Sequence, residues 1–222
     1  MSDAPVRVWD LPTRLFHWAL VGLVVASFVT AKLGGNLIQW HFWSGYAILA
    51  LVLFRFAWGF AGGRYARFGS FLFGPRDVLA AARGSPQAPR TLGHNPLGAV
   101  SVFAMLGLVA LQALAGLFSN DDIASEGPLA RYVSKALSDR LTGLHHLNEK
   151  ILLVLVALHV AAILFYLLRR RENLVRPMLT GDKAGGDPEA ASRDDAALRL
   201  RALLILGACA AAVWLIVGGP AR

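Results

Sequence analysis

Cysteine is almost missing from this chain of 222 residues: Cys209 stands alone, inside an apolar run. A single thiol forms no internal disulfide, builds no thiolate metal site and excludes C-x-x-C-H attachment of a covalent haem. Charge is scarce as well. Charged residues make up 16% of the chain and hydrophobic ones 56%, where a soluble domain carries about 25% charged residues. A soluble fold cannot hide that much apolar surface, so the composition points to an integral membrane protein. The formal net charge is +8, but its placement along the chain explains it without nucleic acid.

Five apolar segments are near membrane-spanning length: about Leu15–Ala31, His41–Phe60, Leu97–Phe118, Leu144–Leu168 and Ala202–Val217. The first lacks a small-x-small cleavage site and reads as a retained helix. With the N-terminus in the cytoplasm, Lys32, Arg131, Lys135, Arg140, Lys150 and Arg222 fall outside. The other 16 of the 22 Lys and Arg, including Arg169-Arg170-Arg171, fall inside. The expected fold is an all-α integral membrane protein. A four-helix transmembrane bundle occupies residues 1–175, a flexible cytoplasmic linker 176–197, and a fifth transmembrane helix with its tail 198–222. A short interfacial helix is expected around Asp77–Arg83. The periodic Leu129, Tyr132, Val133, Ala136, Leu137 and Leu141 predict an amphipathic helix over about 128–141, lying on the outer surface.

Histidines carry the chemistry. His145 and His159 lie 14 residues apart on the fourth apolar segment. At about 100° per residue both point to nearly one face, and they stand roughly 21 Å apart along the axis. That is the layout for two haems stacked across a membrane, each taking one ligand from this helix. His146 faces elsewhere. Depth then matches His41 with His145 outside, and His17 with His159 inside. Two imidazoles on one iron leave no open position, so such a haem moves electrons. Haem propionates need cations near the interfaces: Arg14, Arg55 and Arg64 inside, Lys32 or Arg140 outside. His94, at the cytoplasmic boundary, is placed to contact a propionate or a quinone, and Asp121, Asp122 or Glu126 in the outer loop are the other candidates for exchanging protons with a quinone. Gly22, Gly45 and Gly116 let a flat macrocycle approach the backbone, although small residues also serve plain helix packing. A lone membrane histidine can equally be a helix–helix hydrogen bond, so a non-redox membrane protein with structural histidines stays open.

Together these residues resemble the prokaryotic cytochrome b561 family, to which the b-type cytochrome subunits of nickel–iron hydrogenases are related. The matching features are Arg14-x-x-His17-Trp18, His41, Arg55, Gly93-His94-Asn95-Pro96-Leu97-Gly98 and Leu144-His145-His146 with Leu158-His159, over about Val6 to Leu168. The resemblance implies a four-helix bundle holding two non-covalent haem b groups, His17 and His159 on the inner one and His41 and His145 on the outer. It also implies electron transfer between the quinone pool and a partner protein. The expected partner is a periplasmic redox protein, a c-type cytochrome or a hydrogenase, in a bacterial inner membrane. A stand-alone quinol oxidase passing electrons to oxygen is the alternative, and a homodimer is allowed. The tail from about Thr180 extends beyond the minimal four-helix form.

Overall fold

The computed structural model describes residues 5–89, 91–123, 125–184 and 187–218. Arg90 and Arg222, counted above for topology, lie outside the described residues. The elements run β1 (Val6–Arg7), α1 (Leu11–Leu33), α2 (Ile38–Ala61), α3 (Pro75–Ala82), α4 (Pro96–Gly116), α5 (Lys135–Arg169), α6 (Val175–Thr180), β2 (Asp182–Lys183) and α7 (Ala196–Gly218). Among the described residues, five helical spans are long and apolar enough to cross a membrane: Leu11–Leu33, Gly35–Ala61, Pro96–Gly116, Lys135–Arg169 and Ala196–Gly218. The protein is all-α and membrane-spanning. Large apolar side chains stay exposed along these helices, among them Val25, Val154, Leu158 and Trp214, as a lipid-facing surface requires.

Short polar residues start the long helices by taking the orphan N–H groups of the first turn. Asp10 Oδ1 accepts from Thr13 N (2.8 Å) before α1, and Asn95 Oδ1 accepts from Gly98 N (2.7 Å) before α4. Ser134 Oγ accepts from Leu137 N (3.3 Å) before α5, and Asp195 Oδ1 from Leu198 N (2.8 Å) before α7. Between α1 and α2 the chain reverses through Gly34 (φ 62°) and Gly35 (φ 55°), left-handed positions where a side chain would cost about 1–2 kcal/mol.

The chain forms two compact units. One comprises Met1–Phe16, Arg55–Ala104 and Ala157–Ile205. Here β1 and β2 pair antiparallel, with Val6 opposite Lys183 and Arg7 opposite Asp182. Asp10, 1% exposed, accepts from Trp58 Nε1 (3.3 Å) and Gly63 N (3.1 Å) as well as from Thr13. The other unit comprises His17–Phe54, Met105–Val156 and Leu206–Arg222. Its apolar core joins Leu49 and Ala50 of α2, Leu117 just beyond α4, and Val213 of α7. The fifth spanning helix is therefore packed, through Val213 and Val217, against α2 and the end of α4. In a membrane that association rests on van der Waals fit, because lipid tails are as apolar as the side chains.

The segments on either side of the fourth span have structure of their own. Residues 128–141 are not a separate surface helix. A single 3-10 turn spans Ala130–Tyr132, and from Lys135 the chain enters α5 without a break. α5 has 35 residues, about 52 Å of helix against a hydrocarbon core of about 30 Å. Within 176–197 the described residues include short ordered elements. Among them are α6, a turn at Gly181 (φ 93°) and β2. The Arg7 guanidinium draws the segment in through Asp182 (2.8 Å) and Asp194 (3.1 Å). The short helix expected around Asp77–Arg83 is α3.

Candidate functional site

The Gly34-Gly35 turn lays the end of α1 beside the start of α2, which brings Ser27 to His41. His41 Nδ1 lies 2.9 Å from the Ser27 carbonyl oxygen and 3.0 Å from its hydroxyl. A carbonyl only accepts, so Nδ1 carries the proton and the Nε2 lone pair is left for a ligand. His145 is held in the same way. Its Nδ1 lies 3.0 Å from the carbonyl oxygen of Gln112 in α4. The two imidazoles face each other with ring centroids 6.2 Å apart and planes at 89°.

Three further contacts fix this arrangement. Asn148, three residues on from His145 and 1% exposed, donates to Leu108 O (2.9 Å) and Gln112 Oε1 (2.7 Å). Gln112 thus orients His145 through its backbone and Asn148 through its side chain. A Cβ at Gly116 would come 3.1 Å from His145 Cε1 and 3.3 Å from Nδ1, so glycine is what lets the ring lie against α4. Lys32 and Glu149 pair at 2.7 Å, tying α1 to α5 beside the histidines.

The donor set fits a haem better than a bare ion. Among the described residues no three metal-binding side chains gather, so a metal between His41 and His145 must bring its other ligands with it, as a macrocycle does. Metal–imidazole bonds run about 2 Å each, so rings with centroids 6.2 Å apart are close enough to share one metal. A Cβ at Gly22 or Gly45 would meet no protein atom within 4 Å, and such positions leave the backbone approachable by a flat ring.

The remaining predicted residues fall as follows. His17 lies in the second turn of α1, edge-on to Trp18 at 5.0 Å, and His159 is half-buried on α5. The two belong to different units. His146 is exposed. Arg14 is committed to the protein, donating to Leu179 O (2.5 Å) and lying 3.9 Å from Asp194. Arg55, 4% exposed, stacks its guanidinium 4.8 Å from the Phe68 ring centroid, and its Nη1 is buried with no hydrogen-bond partner among the described residues. His94 packs between Trp9 (4.7 Å) and Phe71 (4.4 Å), with Nδ1 likewise buried and unbonded. Enclosure by these rings, and then the charge of Arg55, push the His94 pKa down to about 3. Arg64 donates to Glu189 O (3.1 Å), and Lys32 is taken by Glu149. In the outer loop Asp122 pairs with Lys135, Asp121 Oδ1 accepts from Ile123 N and Ser125 N, and Arg140 and Glu126 are exposed.

Sequence reasoning did not find Ser27, Asn148, Glu149 or Asp10. Asp10 had a local signal, an Asp just before Leu11-Pro12 at a helix start. The others act across helices and leave none.

The probable nickel–iron hydrogenase b-type cytochrome subunit of Rhodobacter capsulatus is 24% identical over 218 residues, covering 82% of this chain and 82% of that protein. A protein of the same description from Rhizobium leguminosarum bv. viciae is also 24% identical, over 217 residues, covering 83% of this chain and 91% of its own length. No solved structure matches. The family model for prokaryotic cytochrome b561 matches residues 8–181, and the chain, with its membrane-length helices and facing His41 and His145, belongs to that family of b-type cytochromes.

Proposed function

We propose that this protein is a di-haem subunit carrying electrons across a bacterial inner membrane, between the quinone pool and a periplasmic redox partner. The observation that supports it most is the His41–His145 pair, each ring presenting Nε2 while a backbone carbonyl holds Nδ1. Held by His41 and His145, a haem would supply one-electron transfer. The chain's own part is orientation and tuning. Ser27 and Gln112 fix each ring's tautomer and raise its basicity as a ligand.

The second haem rests on sequence. His159 follows His145 by 14 residues on the same helix, α5, and His17 stands near the end of α1 opposite to Lys32. His17 and His159 are assigned as its ligands. Arg55 and His94 offer a buried cation and a neutral imidazole, each with a free nitrogen, to a propionate or a quinone oxygen. Arg14, bound to Leu179 and Asp194, is a weaker candidate for that role. The two similar proteins bear the name of hydrogenase cytochrome subunits, which favours a hydrogenase-like partner over a c-type cytochrome. The inward bias of Lys and Arg supports a cytoplasmic N-terminus.

The test is reduction by a quinol. The purified protein in liposomes, mixed with a soluble quinol, should show the reduced b-type spectrum within seconds, and Arg55→Gln should slow it. A protein that dithionite reduces and quinol does not would refute the quinone link.

A further inference from the structure

Four arginines gather around one cavity. Arg64 and Arg67, just beyond α2, and Arg193 and Arg201, at the start of α7, line this cavity of about 430 Å³ with Gly62, Gly63, Ala191 and Leu198. All belong to the same unit. We propose that this cavity binds the phosphate headgroup of an anionic phospholipid.

Charge is the first argument. Arg193 is neutralised by Asp195 at 2.8 Å. Arg201 donates to Ala61 O (3.3 Å) and Arg64 to Glu189 O (3.1 Å), both neutral carbonyls, so their charges stay uncompensated. Arg67 has no ion pair among the described residues. Among the described residues, three positive charges therefore face one cavity with no carboxylate paired to them, and guanidinium forks match phosphate oxygens in shape as well as charge.

Position is the second. The cavity lies where two membrane-length helices end, at Ala61 of α2 and Ala196 of α7. Those ends present exposed Phe60, Leu200, Leu203 and Leu204. Basic pockets at the ends of spanning helices suit lipid headgroups. A free phosphate would use the arginines alone, whereas a phospholipid also uses the apolar side chains for its acyl chains. The site is independent of the haem reading.

The test uses the full, haem-loaded chain, purified in detergent with equal amounts of phosphatidylglycerol and phosphatidylcholine and examined by native mass spectrometry. The wild type should retain phosphatidylglycerol preferentially, and Arg67→Gln/Arg201→Gln should weaken retention about tenfold or more. Because Arg201 also holds Ala61, Arg67→Glu alone is the second variant, and it should lose the lipid with haem content unchanged. Equal retention of both lipids, or retention unaffected by Arg67→Glu, would overturn the proposal. So would stabilisation by inorganic phosphate that depends on Arg67 while no phospholipid is retained, which would make the site one for a free anion.

Discussion

His41 Nδ1 lies 2.9 Å from the carbonyl oxygen of Ser27, one helix away across the Gly34-Gly35 turn. The bond takes a hydrogen that the imidazole would otherwise place on either nitrogen, and it leaves the other nitrogen free as a ligand on a ring 6.2 Å from that of His145. His145 repeats the device on Gln112. Two rings set by backbone atoms hold their directions as firmly as the helices hold theirs.

Close seating of His145 on Gly116 predicts sensitivity to a single methyl group. Gly116→Ala should push the ring by a few tenths of an ångström and cost about 1–3 kcal/mol of stability. The haem spectrum assigned to this pair should shift or weaken. Gly107→Ala on the same helix, with no atom within 4 Å of its Cβ position, is the control and should leave the spectrum unchanged. Absorption spectra and thermal unfolding of both variants check this.

Asn148 links α5 to α4 through two donated hydrogen bonds. Asn148→Leu keeps the volume and removes both, and should cost about 0.6–2 kcal/mol, the range for interhelical hydrogen bonds in membranes. Thermal unfolding in detergent reads the loss. Unchanged stability would mean that Gln112 finds another partner.

His94 gives a pH dependence whose sign is fixed. Its folded pKa is about 3, below the ordinary 6.5, because burial and then Arg55 disfavour the charged form. The unfolded chain therefore binds more protons between these values, and stability falls as pH drops from about 6.5 towards 3. Above 6.5 the contribution is complete. His94→Gln should flatten this acid slope, measured as Tm against pH from 7.5 to 4.5. An equally steep slope in the variant would assign it to other groups.

Asp10 accepts three hydrogen bonds while buried. Asp10→Ala should cost at least the 0.5–2 kcal/mol typical of a lost helix cap, and Asp10→Asn, which keeps one acceptor, should cost less. Thermal unfolding of both variants orders them.

How much of this could be read from the sequence follows from how local each signal is. The spanning helices were legible, since a run such as Leu144–Leu168 carries its own hydropathy, and the face shared by His145 and His159 follows from helical pitch alone. The carbonyls that set the rings were not legible. Ser27 and Gln112 act through backbone atoms that every residue has, and only the packing of helices selects them. The segment 176–197 looked like a linker because Gly, Ala and Asp dominate it. The partners of Asp182, Lys183 and Asp194 in it include Arg7 and Val6, about 175 residues earlier, and no local signal points to them. The start of α5 looked like a surface helix because its turns are amphipathic, while the apolar run that continues the same helix begins only at Leu144.

The central claim is that His41 and His145 hold one haem together and that His17 and His159 hold another. A pyridine haemochrome assay on the wild type and the four single alanine variants tests it most directly. The account predicts two haem b per wild-type chain and one in each variant. The same spectral component should vanish in His41→Ala and His145→Ala, and the other in His17→Ala and His159→Ala. Two haems retained in His41→Ala or His145→Ala, or different components lost from those two, would contradict it.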